Sequence, residues 1–353
     1  MELIIEDWGM VEGQPIPVKR FSLKNNQGMQ LQVTNYGCIV TSLEVPAIDG
    51  QLADVVLGYE SLDKYLGGHP FFGAIAGRYA NRIKDGRYEL DGEVFQLETN
   101  ELPTSQHLHG GSKGFDKYVW NYAIEQQDDA IYLHFSRVSP DGESGYGGNL
   151  LVTHSIGLDN HNQVHYNFKA TTDKSTVVNL VNHSYYNLAG HDSGSIDGHE
   201  LQLHCDYYTP VDQQSIPTGE ILSVKGTGLD FTQPTLIATN RAMMVDGGID
   251  HNLIVNRKVT EGEYALAAEL YHPESGRLMT VLTTQPAVQF YNGFKLSNKP
   301  WFGRNGYKYE ACAGMCLETQ HYPDSPNQAH FPSVRLNPGQ VFEEKTIHRF
   351  TLR

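Results

Sequence analysis

Residues 164–170 read Val-His-Tyr-Asn-Phe-Lys-Ala (VHYNFKA), and this stretch decides the fold class. Val164, Tyr166, Phe168 and Ala170 alternate with His165, Asn167 and Lys169. A period of two puts the first four on one face of an extended strand. The same beat recurs to either side. Leu31, Val33 and Asn35 alternate with Gln32, Thr34 and Tyr36; Leu201, Leu203 and Cys205 form a further face; 341–352 reads as one more strand. Helical signals are few, and only 61–66 (SLDKYL) predicts a short helix, capped by Ser61. Asp-Gly pairs at 49–50, 85–86, 91–92, 141–142, 197–198 and 246–247 suggest hairpin turns. Strands in such number need two packed sheets or a closed barrel to bury their apolar faces. The expectation is an all-β protein, a large antiparallel β-sandwich, with residues 1–353 as a single domain, since no linker, repeat or composition break appears.

The composition narrows the partners. Lys and Arg number 26 against 41 Asp and Glu, a net charge of −15. Such a surface repels nucleic acid and anionic lipid and suits a neutral ligand. The start, MELIIEDWGM, carries acids and no apolar signal core, and no window approaches a membrane span, so a cytoplasmic location is expected. Four cysteines make no disulfide framework. Cys312 and Cys316 lie in a strand-like run, which would separate their Cα atoms by roughly 13 Å, whereas a disulfide tolerates about 7 Å. Reduced, buried thiols are expected.

Sixteen histidines raise the question of a metal. His107 and His109 would share a strand face, but Gly110-Gly111-Ser112-Lys113-Gly114 follows and nothing with zinc spacing completes a set, so no metal site is expected. Two other segments stand out. In 179–190 (NLVNHSYYNLAG), Val181, His183, Tyr185 and Asn187 would share one face. His183 there suits a polar pocket floor, or is a satisfied structural histidine. In 316–327 (CLETQHYPDSPN), Glu318 lies in an otherwise apolar stretch before Pro323 and Pro326. A carboxylate so placed faces a cleft or forms a salt bridge at its rim. Further polar groups sit in glycine-marked settings: Arg78, Asn81 and Arg82 in 77–83, His109 in 106–111, Asp250 in 247–253 and Gln285 in 283–290.

Taken in order, these blocks resemble the galactose mutarotase, or aldose 1-epimerase, family. The resemblance runs along almost the whole chain: NYG at 35–37, FFGAIAGRYANRI at 71–83, HLHGGSKGFDK at 107–117, VNHSYYNLAG at 181–190, GIDHNL at 248–253, TTQPAVQFY at 283–291 and LETQHYPDSPN at 317–327. It implies a large antiparallel β-sandwich and interconversion of sugar anomers. Glu318 matches the family's general base and His183 its general acid. His109 matches a second histidine that binds sugar or assists proton transfer. Asn81 and Arg82 match a pair holding sugar hydroxyls, Asp250 an acceptor for hydroxyls, Gln285 a further contact, and Tyr185 lies beside His183. No cofactor is implied, and the partner is a small free sugar bound by a monomer or homodimer. Tyr186 and Val181 depart from the usual residues, and 297–314 fits only loosely.

The chemistry matches these residue types. Opening a hemiacetal ring removes the C1 hydroxyl proton and delivers one to the ring oxygen. One base and one acid suffice, without redox step or leaving group. An ionised glutamate opposite an imidazolium near pH 7 is expected, with a bell-shaped pH profile. Arg78 is the one obvious spare cation in these blocks, which favours an unphosphorylated sugar. The rivals are a hexose-6-phosphate 1-epimerase, a sugar-binding module without turnover, and a glycosidase pairing Glu318 with Asp250.

Overall fold

A computed structural model describes residues 1–353. Three sheets dominate, and their strand pairs are all antiparallel. The largest has ten strands. Its centre is the strand Gln163–Thr172, flanked by Leu150–Asp159 and by the long final strand Phe342–Leu352. The alternation read at 164–170 is seen directly: Val164, Tyr166, Phe168 and Ala170 are buried at 0–2% exposure while Lys169 faces solvent. A five-stranded sheet runs through the N-terminal residues, from Glu2–Gly9 to Leu52–Asp54. A second orders Leu222–Ser223, Cys205–Thr209, Asp250–Val255, Ala287–Tyr291 and Cys316–Gln320.

One apolar cluster of 53 buried residues draws on all three sheets, including Phe21 and Leu31, Phe135 and Tyr166, and Leu253, Val288 and Leu317. No helix is long and apolar enough to cross a membrane.

Several local expectations are corrected. The face Leu201, Leu203, Cys205 is buried, but it belongs to two strands. Glu200–Leu203 pairs in the ten-stranded sheet and Cys205–Thr209 in a five-stranded one, so the chain changes sheets at His204. The helix is present as Leu62–Leu66 after Ser61, but the Ser61 side chain makes no capping bond. Asp49-Gly50, Asp91-Gly92 and Asp141-Gly142 join strands that pair with each other. Asp85-Gly86, Asp197-Gly198 and Asp246-Gly247 form single 3-10 turns between elements that do not. Asp-Gly supplies a tight turn in any setting, so the dipeptide alone does not choose the next strand's partner. Cys312 lies outside the strand, at φ 61°, and Cys316 begins it; all four cysteines are buried free thiols.

Candidate active site

The strand Cys316–Gln320 lies at the edge of its five-stranded sheet, beside Ala287–Tyr291. Alternation sends Cys316, Glu318 and Gln320 to one face. Gln289 pairs with Glu318, and an amide chain crosses the neighbouring strands. Gln320 Nε2 donates to Gln289 Oε1 (3.2 Å) and to Asn252 Oδ1 (3.0 Å), and Gln289 Nε2 donates to Asp250 Oδ1 (2.7 Å). Glu318 is 3% exposed, and its Oε2 has no hydrogen-bond partner in the protein. A buried, unpaired carboxylate oxygen is costly and marks a functional position.

His183 follows the short strand Val181–Asn182. Its main-chain N–H donates to Ala74 O, and its carbonyl accepts from Gly73. These bonds aim the ring at Glu318: Nε2 lies 3.5 Å from Glu318 Oε1, and Nδ1 lies 3.4 Å from Cys316 Sγ. His109 reaches the same point from another loop. Ligand-capable atoms of His109, His183 and Glu318 all lie within 4.8 Å of one another, so these three could also close on a divalent ion.

Asn81 and His109 clasp each other. The His109 N–H donates to Asn81 O, and the Asn81 N–H donates to His109 Nδ1, each at 3.1 Å. Nδ1 is thus an acceptor, and a neutral His109 carries its proton on Nε2. Gly110 allows this packing. At φ +90° a Cβ there would fall 1.9 Å from the Gly77 carbonyl oxygen.

The cavity over these groups has a volume of about 360 Å³, and Asn81, Arg82, His109, His183, Tyr185, Asp250 and Glu318 all line it. Seven of the eight residues named from the sequence are thus brought together. Gln285 is not. It is fully buried behind the wall, with Nε2 3.5 Å from the Leu180 carbonyl. Gln289, four residues on, is the glutamine that reaches Asp250, donating to its Oδ1. His107 also parts from His109. Its Nδ1 lies 2.6 Å from Glu98 O and its Nε2 2.6 Å from the Tyr146 hydroxyl, because His109 turns to φ 51° and ends the shared strand face.

Other lining residues are not among those singled out from the sequence. Glu101 takes Arg82 Nε (2.8 Å) and Nη2 (2.6 Å), fixing the guanidinium plane. Phe71 packs against both His109 and His183. Tyr291, Trp301, Lys295 and Lys299 form the outer wall. The expected spare cation, Arg78, is 2% exposed and spent on the carbonyls of Ser139, Gly147 and Gly148.

Burial controls the charge states. It pushes the Glu318 carboxyl well above its ordinary value, helped by Asp250 and opposed by Arg82. It pushes His183 down to about 4, against its own carbonyl and Asp250. It also holds His109 neutral, with His183 and Arg82 acting in the same direction. Burial thus works against the charged form of each partner in the expected imidazolium–carboxylate pair.

The site is thus a buried carboxyl–imidazole pair at a cavity of ring size, flanked by an Asn-Arg pair and an aspartate. Residues 19–349 match the family described as aldose 1-epimerase. The chain is 42% identical to the galactose mutarotase of Bos taurus over 335 residues, 95% of this chain and 94% of that one. It is 36% identical to the aldose 1-epimerase of Escherichia coli (strain K12) over 345 residues, 96% of each. The solved galactose 1-epimerase of Lactobacillus acidophilus NCFM superposes with a TM-score of 0.84 at 26% identity, covering 99% of both chains. The chain belongs to the aldose 1-epimerase family and is an isomerase of that class.

Proposed function

We propose that the chain interconverts the α and β anomers of free aldohexoses such as galactose and glucose, with Glu318 as base and His183 as acid. The observation that carries this reading is the 3.5 Å approach of His183 Nε2 to Glu318 Oε1 inside a cavity wide enough for one pyranose. The sugar takes over the two groups' contact, one oxygen to each. Glu318, as carboxylate, removes the O1 proton; the O1–C1 bond becomes a carbonyl as the C1–O5 pair leaves for O5; protonated His183 delivers its Nε2 proton to O5. Rotation about C1–C2 follows. Closure returns both protons by the reverse path, with Glu318 now the acid and His183 the base. The paired groups hold one proton throughout.

His109, neutral with its proton on Nε2, acts as a hydrogen-bond donor to the sugar. Arg82 donates, Asp250 accepts, and Asn81 and Tyr185 complete the ring contacts. Each positioned proton-transfer group contributes roughly 10²–10⁴-fold.

Lys295 and Lys299 on the outer wall give a specific reason to weigh hexose 6-phosphates as well. Both lysines are exposed, and their ammonium groups lie over the Phe294 and Trp301 rings. A free sugar is the better fit to so acidic a molecule, and a cytoplasmic setting suits that substrate. Saturation-transfer NMR of anomer exchange, run on free hexoses and their 6-phosphates, decides the matter. Faster exchange for the phosphates would overturn the substrate assignment, and exchange at the buffer rate for both would overturn the activity.

A further inference from the structure

The two histidines of the cavity are held by different partners at Nδ1. His109 Nδ1 accepts from the Asn81 main chain. His183 Nδ1 faces a sulfur, Cys316 Sγ, at 3.4 Å. Cys316 and Glu318 are two apart on one strand, so they share a face, and that spacing spans an imidazole. The strand therefore grips the His183 ring at both nitrogens, sulfur on one side and carboxyl on the other.

We infer that Cys316 is a positioning residue: its sulfur accepts the His183 Nδ1–H, so that Nε2 is the nitrogen that exchanges protons with the sugar. This rests on the role proposed above for His183. Burial keeps the thiol protonated and uncharged, with Glu318 and Asp250 acting in the same direction. A neutral sulfur is a weak acceptor. It holds the ring's orientation without the stabilisation of the imidazolium that a carboxylate at Nδ1 supplies in a Ser-His-Asp triad. His183⁺ consequently remains a ready proton donor. With Nδ1–H held, neutral His183 presents a lone pair at Nε2, which is what reclosure requires in order to take the O5 proton back.

The test is ¹⁵N NMR of the ring nitrogens of the full-length protein labelled at histidine, combined with kinetics. The expected parent spectrum has neutral His183 protonated at Nδ1, opposite to His109, which is protonated at Nε2. Cys316→Ala should populate the other His183 tautomer and lower kcat about 10-fold with KM for galactose little changed, since Cys316 is not among the residues lining the cavity. Cys316→Ser, whose oxygen also accepts, should restore the Nδ1–H tautomer and most of kcat. A parent spectrum with His183 protonated at Nε2 overturns the inference, as does a Cys316→Ala protein with unchanged tautomer and kcat. The parent spectrum needs no variant to fold and no turnover, so a failure here is distinct from a failure of the proposed reaction.

Discussion

Glu318 is a costly residue to bury, and its cost can be measured separately from its use. Its folded pKa is raised, so folding loses stability as the pH rises from the unfolded value of about 4.3 through the folded one. Glu318→Gln removes that penalty and the base together. We expect kcat to fall by at least about 10³-fold, while Tm at neutral pH rises by about 2 °C, and the gap to the parent widens with pH. Polarimetry of freshly dissolved α-galactose and calorimetry at two pH values check both halves. The same proton count sets the pH profile. Activity requires the Glu318–His183 pair to hold one proton. Below about 4 His183 gains a second, and above the raised Glu318 value the pair loses its only one. A bell-shaped profile is expected, its two limbs set by the pair's gain of a second proton and loss of its only one. Asp250 raises both groups, so Asp250→Asn should move both limbs to lower pH; Arg82 opposes it at Glu318, and His109 and Cys316 contribute no charge. A metal would compete with protons for the same three ligands. Dialysis against a chelator should leave exchange rates intact, and added Zn²⁺ should inhibit; loss of activity on chelation would end the acid–base reading.

At the level of elements, the legible parts were those with a local cause. The strands at 164–170 and 341–352 announced themselves because one face is core and the other is not. His183 and Glu318 stood out because a polar group in an apolar strand demands a reason. Gln285 lies outside the cavity for a physical cause: residue types alone do not separate it from Gln289, and only the pairing of Gln289 with Asn252 brings an amide beside Asp250. Glu101 carries no local signal because its partner Arg82 lies 19 residues away, beyond the hairpin of Arg87–Leu90 and Glu93–Gln96. The segment 297–314, which fits the family loosely, contains Lys299 and Trp301 of the outer wall. Variation between relatives is therefore expected at the rim and not at the proton-transfer pair. The loop at His109 offers a direct check. Gly110→Ala forces a Cβ against the Gly77 carbonyl at positive φ. The backbone conformation alone costs about 1–3 kcal/mol, and we expect a lower denaturant midpoint together with a weaker KM as the Asn81–His109 clasp loosens.

Across the molecule, the site gathers residues from 69 to 318 at a meeting of loops and sheet edge, while the 53-residue apolar cluster lies across all three large sheets. A shared core of that kind predicts one cooperative transition, with fluorescence and circular dichroism melting together; two separated transitions would mean that the chain is not a single unit. The order of the ten-stranded sheet has a further effect. Phe342–Leu352 sits between Gln163–Thr172 and Arg277–Thr283, joining strands that would otherwise expose bare edges to each other. While a ribosome is still making the chain, those two halves must wait as open, sticky margins until residue 352 has emerged. Nascent chains halted short of 342 should therefore clump or recruit chaperones, and those released past 352 should not.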